Sequence, residues 1–349
     1  MKGKSIMAVD VGSGTQDILI YDPGAEMENN PKLILPSQTQ IVAKRIRELT
    51  QTGENIFLHG HLMGGGATTK AVQEHLKAGL KVYATENAAL TFKDDLRKVE
   101  GMGVKLTESP PSESVPVYFQ DIDVVALRTA LSYFGVGVPD TYAFAVQDHG
   151  FAPEGSNRAY RFQHWEGFLN QGGQLFDLIF DDDNLPDYFT RMRSVKEASQ
   201  GGDVIVTDTG IAAIIGALED EQVSQAVNER GAVLVNVGNQ HTIAFLLAGQ
   251  RVLGVFEHHT GKLSPDTLGS YLERFKRGQL SQKEVLEDRG HGCMCLPEAL
   301  HYPWEDVFVT GPRRSMGQQL GVLAVPHGDM MLTGAFGLVR GVKERKGWL

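Results

Sequence analysis

Several carboxylates in this chain stand where phosphate chemistry needs them. Asp10 closes an apolar run and is followed by Gly12-Ser13-Gly14-Thr15-Gln16, after which a second apolar run leads back to Asp22. Glycines at 12 and 14 can take positive φ, which lets the chain fold into a tight hairpin whose bare backbone N–H groups can meet an anion. A carboxylate at the mouth of such a turn suits Mg2+ held largely through water beside a polyphosphate. The stretch reads either as a nucleotide site with Asp10 at the metal, or as a plain Asp-Gly hairpin. Residues 233–247, VLVNVGNQHTIAFLL, repeat the design, with Asn236 in the place of Asp10, a Gly238-Asn239-Gln240 turn and a hydroxyl at Thr242. Two such hairpins far apart in sequence imply a duplicated domain that grips a phosphate tail from both sides.

Other polar groups fall at the ends of expected strands. Residues 204–218, VIVTDTGIAAIIGAL, read as a buried β-branched strand, an Asp208-Thr209 cap and a helix of small apolar residues. Residues 141–155 form an apolar strand that ends in Gln147, Asp148 and His149. In an open α/β sheet, ligands gather at the carboxyl ends of strands, so this cluster lines a cleft or else caps a neighbouring helix. Along residues 252–263 side chains alternate, so Glu257 and His259 share a face that His258 does not. That pair binds substrate or a metal, or is an exposed polar strand end. Residues 56–84 read strand, glycine loop, helix, strand, a right-handed α/β unit with the helix starting near 67–69 and ending at Gly79. Gly64, Gly65 and Gly66 precede that helix, where they either hold a phosphate or carboxylate at its N-terminus or simply turn the chain. Their spacing is not that of a P-loop.

Composition narrows the function classes. A chain of 349 residues predicts two domains, and 42% hydrophobic content is ample for their cores. A formal charge of −10 with no basic run excludes the usual nucleic-acid footprint. No secretory signal is visible at the N-terminus, and no stretch approaches the roughly 20 apolar residues of a membrane span. Two cysteines fit a reducing compartment, so a cytoplasmic location is expected, with a small-molecule substrate or a partner enzyme rather than nucleic acid or membrane as partner.

Taken in order, these segments resemble the actin, Hsp70 and sugar kinase superfamily. Residues 204–218 are similar to its first connecting helix, and residues 331–341, MLTGAFGLVRG, to its second. Residues 306–315, DVFVTGPRRS, resemble the strand and turn that face adenosine, which would place Gly311 and Pro312 against the nucleotide. The resemblance implies an α/β actin-like ATPase fold, two duplicated ribonuclease H-like domains around a nucleotide cleft. It places a first domain at 1–222 with insertions within 100–200, a second at 229–334, and a final helix, 335–349, returning to the first. Within the superfamily, VDVGSGTQDI, GHLMGGG, QDHGF, TDTG, FEHHTG and GHG resemble a group of actin-fold proteins labelled pyruvate formate-lyase activating enzymes. That label conflicts with the cysteines. A glycyl-radical activase holds its iron–sulfur cluster through CxxxCxxC, whereas this chain has only Cys293 and Cys295, enough at most for part of a metal site.

The resemblance further implies ATP and Mg2+ as cofactors. Hydrolysing actin and Hsp70 relatives carry an aspartate at the start of the second hairpin, where this chain has the neutral Asn236. Hexokinase-like relatives instead take the proton from the substrate hydroxyl with an aspartate that opens the connecting helix, the place of Asp208. Phosphoryl transfer needs alignment, charge neutralisation and a base near the nucleophile. The expectation is therefore an ATP-dependent phosphotransferase acting on a small metabolite, with Asp208 as base and Asp148 as the next candidate. The glycines at 64–66, His149, Glu257 and His259 would hold the substrate. The alternatives are an ATPase that activates a partner enzyme and a nucleotide sensor with little turnover; as a cap, Asp208 has a purely structural reading as well.

Overall fold

The computed structural model describes residues 3–199 and 201–348. Two sheets carry the same plan. In the first, the strand order is Lys32–Pro36, Thr15–Tyr21, Ile6–Val11, Thr141–Val146, Asp203–Thr207. In the second it is Gly292–Cys295, Arg251–His259, His241–Ala248, Ala232–Val237, Val307–Thr310, Val322–Leu323. Without the edge strand Gly292–Cys295, the two are equivalent: an antiparallel three-stranded meander whose first strand continues into two parallel strands. This is a duplicated ribonuclease H-like topology, and the chain has the α/β actin-like fold.

Alternation along each central strand explains its burial on both faces. Ile6 and Ala8 join a core shared with the second sheet, while Met7, Val9 and Val11 join a separate core on the other side of the first sheet. Between the sheets lie two helices, Thr209–Ala217 and Thr333–Lys346, whose small residues let their backbones touch. A Cβ at Gly216 would sit 1.7 Å from the Thr333 carbonyl oxygen, and one at Gly337 would sit 1.9 Å from that of Ala212. Glycine is required at both positions by close approach rather than by φ.

The inserted material begins earlier than residues 100–200. A parallel sheet, in the order Val104–Leu106, Val82–Ala84, Asn55–Gly60, Ser114–Phe119, is inserted in the chain between the strands Lys32–Pro36 and Thr141–Val146 and has its own core. The strand–helix–strand unit legible at 56–84 belongs to this extra sheet, and its helix runs Gly66–Lys77. Among the described residues no helix is long and apolar enough to cross a membrane.

Candidate functional site

The two hairpin turns face one another across a cleft of about 360 Å3. Each closes with the same bond, Gly12 N–H to the Thr15 carbonyl at 2.8 Å and Gly238 N–H to the His241 carbonyl at 2.9 Å. Where a Cβ would stand on Gly14, the Asn239 Nδ2 atom is 3.6 Å away, so the turns nearly meet. Neither Gly12 nor Gly14 uses the positive φ open to it, and Gly238 does not either. Space is the reason for glycine in two of them: a Cβ would lie 3.2 Å from the Thr15 oxygen at Gly12 and 2.7 Å from the His241 oxygen at Gly238.

Register brings in a residue that the motif alone does not reveal. Asp10 lies directly opposite Asp17 on the returning strand. Asp10 Oδ1 and Asp17 Oδ1 are both buried without a hydrogen-bond partner. Gly334 of the second connecting helix packs onto the same carboxylate, for a Cβ there would be 1.9 Å from Asp10 Oδ2. Burial, then Asp17 and Asp208, push the Asp10 carboxyl well above its usual range. Burial pushes Asp17 up to about 6, with the Thr15 hydroxyl opposing and Asp329 reinforcing the rise. Two unsatisfied carboxylate oxygens on neighbouring strands fit a small, oxygen-seeking cation such as Mg2+. The signal in the sequence was the two-residue turn, which fixes Asp17 across from Asp10.

This pair makes metal-free stability depend on pH. The folded value for Asp17, about 6, lies above the ordinary 3.8, so the folded chain holds its proton longer and loses stability as pH rises through that window. The loss is complete above about 6 and amounts to at most roughly 3 kcal/mol. Melting curves in chelator are expected to show Asp17→Asn gaining on the wild type from pH 4 to pH 7. A constant difference between the two across that range would show that Asp17 titrates normally.

A buried ion-pair relay joins the two halves. Asp208 caps the helix Thr209–Ala217, its Oδ1 accepting from Gly210 N–H at 2.8 Å, while its Oδ2 accepts from Arg161 Nη1 at 3.0 Å and Asp148 N–H at 3.3 Å. Arg161 also donates through Nε to Glu257 Oε2 at 2.6 Å and through Nη1 to the Asp148 carbonyl at 2.8 Å. All three charged side chains are buried. Arg161 was not among the expected residues. Its signal was position, because it stands four residues before Trp165 on the apolar face of the helix Asn157–Asn170.

Asp148 both lines the cleft and caps a helix. Its carboxylate accepts from Gly150 N–H at 2.9 Å, Arg191 N–H at 2.8 Å and Met192 N–H at 3.0 Å, at the start of the helix Thr190–Ala198. Burial raises its pKa to about 6 against those bonds and the nearby Arg191 charge. Gly64, Gly65 and Gly66 line the cleft opposite, with the Gly64 amide donating to Asp121 Oδ1 at 3.0 Å. Asp121 is in turn clamped by Arg191 through two bonds of 2.7 and 2.8 Å. This second pair, of a half-buried arginine and a buried aspartate, was also missed, its partners being far apart in sequence.

Most expected residues meet in this one cleft: Asp10, Gly12, Ser13, Thr15, Asn236, Gly238, Asn239, Gln240, Gly311, Pro312, His149 and Glu257 line it with those already named. Gly311 has φ +100°, and a Cβ on it would be 2.5 Å from both Asn236 Oδ1 and the Val237 oxygen, so it seats its turn on the second hairpin. Gln16 and Thr242 do not line the cleft. Each follows a cleft-facing residue on its strand and points to the opposite face, Gln16 bonding the Pro36 carbonyl at 3.0 Å and Thr242 the Thr260 hydroxyl at 2.9 Å. His259 also stands outside the lining. Its ring lies 4.9 Å from that of His241 and 4.7 Å from that of His291, behind the cleft wall.

His241 and His291 join His149 and Glu257 in a compact group. Burial and then the Arg161 charge hold His149 well below the usual imidazole range, and burial takes His291 down to about 3. Cys293 and Cys295 sit on the edge strand Gly292–Cys295, where burial raises the first thiol strongly and the second to about 11. Two thiols are in any case too few to hold an iron–sulfur cluster by cysteine alone.

No curated protein matches the chain. Among solved structures it is similar to the ethanolamine utilization protein EutJ from Carboxydothermus hydrogenoformans, at 11% identity and TM-score 0.34, over 97% of this chain and 90% of that one. It is also similar to an inorganic polyphosphate/ATP-glucomannokinase from Arthrobacter sp. strain KM, at 12% identity and TM-score 0.35, over 99% and 100%. A third is the activator of 2-hydroxyisocaproyl-CoA dehydratase from Clostridium difficile with bound ADPNP, at 8% identity and TM-score 0.30, over 98% and 97%. The fold assignment rests on the repeated strand order rather than on these scores. A family profile covers residues 63–316, and by that match the chain belongs to the family described as "Putative pyruvate format-lyase activating enzyme (DUF1786)".

Proposed function

We propose that this chain binds Mg·ATP in the cleft and uses it as a phosphoryl donor to a small acceptor. The observation that carries the reading is the Asp10–Asp17 pair, with two buried carboxylate oxygens lacking partners at the point where the two hairpin turns converge. Mg2+ at this pair would supply charge neutralisation for the phosphates. Backbone N–H groups of the turns at 12–15 and 238–241 would hold the phosphate tail, and the turn at Gly311-Pro312 would face the adenosine. The acceptor would lie toward Gly64–Gly66, with Arg191 close by and Asp208 as base. Two cysteines do not support the radical chemistry of a glycyl-radical activase.

Asp10→Asn tests the reading directly. Loss of the metal-facing carboxylate is expected to weaken Mg·ATP by about 10–100-fold or more in titration calorimetry, while thermal melting of the metal-free protein falls little. Unchanged affinity would overturn the nucleotide site.

One observation favours a second reading, in which nucleotide binding drives a conformational change read by a partner protein. Arg161 links Asp208 of the first half to Glu257 of the second, so a ligand that moves Asp208 pulls on both lobes. Turnover with a panel of phosphoryl acceptors separates the two. Nucleotide-dependent closure in solution scattering without consumption of any acceptor would favour the second.

A further inference from the structure

We propose that His149, His241, Glu257 and His291 form a binding site for a first-row divalent transition metal in the cleft wall, distinct from the Mg2+ position at Asp10. One donor atom from each of the four lies within 4.8 Å of every other. His149 Nε2 and His291 Nε2 are 3.2 Å apart, and His241 Nδ1 and Glu257 Oε1 are also 3.2 Å apart. Metal–nitrogen and metal–oxygen bonds of about 2.0–2.1 Å in a tetrahedron give ligand–ligand edges of about 3.3–3.4 Å. Both close edges of this group therefore have the length that a bound ion would require, before any side chain moves.

The remaining contacts support a ligand set rather than a packed aromatic cluster. As a neutral hydrogen bond, two facing imidazole Nε2 atoms share one proton, whereas a cation accepts both lone pairs. Glu257 turns Oε2 to Arg161 and leaves Oε1 on the histidine side, so the guanidinium orients the carboxylate for one-atom ligation, as outer-shell partners do. Arg161 stands between two buried carboxylates, Asp208 and Glu257, which leaves one negative charge in excess beside the histidines. Three imidazoles and one carboxylate suit Zn2+, Fe2+, Co2+ or Ni2+ and are poor for Mg2+ or Ca2+, which prefer oxygen.

Position gives the site a role. His149 follows a strand of the first sheet, whereas His241 and Glu257 lie on strands of the second and His291 directly precedes its edge strand, so a bound ion would tie the two lobes together. His241 directly follows the turn Gly238-Asn239-Gln240, and His149, His241 and Glu257 line the cleft. An ion here could therefore take an oxygen of a cleft ligand as a further donor.

The test uses the full-length chain, stripped of metal and titrated with Co2+ alone, then with Zn2+ as competitor. One Co2+ per chain is expected, with visible absorption of a low-coordinate ion, displaced by Zn2+ and not by millimolar Mg2+. His291→Ala and Glu257→Gln are each expected to weaken Co2+ by more than the 10–100-fold typical of outer-shell changes. Asp10→Asn should leave Co2+ binding unchanged, which keeps this outcome separate from the nucleotide reading. Wild-type binding no tighter than that of the His241→Ala/His291→Ala double variant would overturn the site. X-ray absorption of the metal-loaded wild type needs no variant: three imidazoles around the ion are expected, and fewer would overturn the assignment.

Discussion

Arg161→Met is expected to cost about 3–5 kcal/mol of folding stability, the usual penalty for removing one partner from a buried ion pair, read as a lower urea midpoint with an unchanged slope. The substitution keeps most of the side-chain volume and removes only the guanidinium. Asp208 and Glu257, both buried, would then share an apolar interior without a counter-charge, and the Asp148 carbonyl would lose a donor. Neutralising the two acids as well, in the triple variant with Asp208→Asn and Glu257→Gln, should recover a large part of the loss, because uncompensated charge is its main source. A loss below about 1 kcal/mol, the range of an exposed pair, would mean that water or a rearranged side chain replaces the guanidinium, and that the two halves are not coupled through it.

Asp208→Asn is expected to lower phosphoryl transfer by about 10²–10⁴-fold if Asp208 is the base. Asparagine retains the cap on Gly210, since Asn and Asp cap helices about equally well. It does not retain the ion pair, so some stability is lost with it. The pH dependence of the rate distinguishes the two effects: loss of the base removes the acidic limb of the profile, whereas a positioning defect lowers the rate at every pH. With Arg161 on Oδ2 in the nucleotide-free chain, the acceptor hydroxyl would have to approach Asp208 as this contact loosens. A variant that turns over at the wild-type rate would move the base elsewhere. Asp148, its carboxylate held by three backbone amides, would be a strained replacement.

The two hairpins, the connecting helices and the turn at Gly311 were legible in the sequence because each is a contiguous pattern. Apolar runs broken by glycine, and a capping aspartate before small apolar residues, state their local structure wherever they stand. Their order was enough for the duplicated fold, and most of the residues that line the cleft followed from it. Asp17 lay within reach of the same reasoning, since the register of a two-residue turn places it opposite Asp10.

The rest depended on which faces meet. Arg161 pairs with residues 47 and 96 positions away, and Arg191 with one 70 positions away, distances over which no periodicity carries information. The glycines showed the same limit: Gly216 and Gly337 answer to the backbone of another helix rather than to a turn type, and the approaching atom is absent from the local sequence. Likewise, Glu257 and His149 were visible one by one, but only the tertiary structure sets them beside His241 and His291. Local propensity belongs to a segment, whereas burial, charge pairing and ligand geometry belong to the packing of segments against one another, and in this protein the cleft is made from that packing.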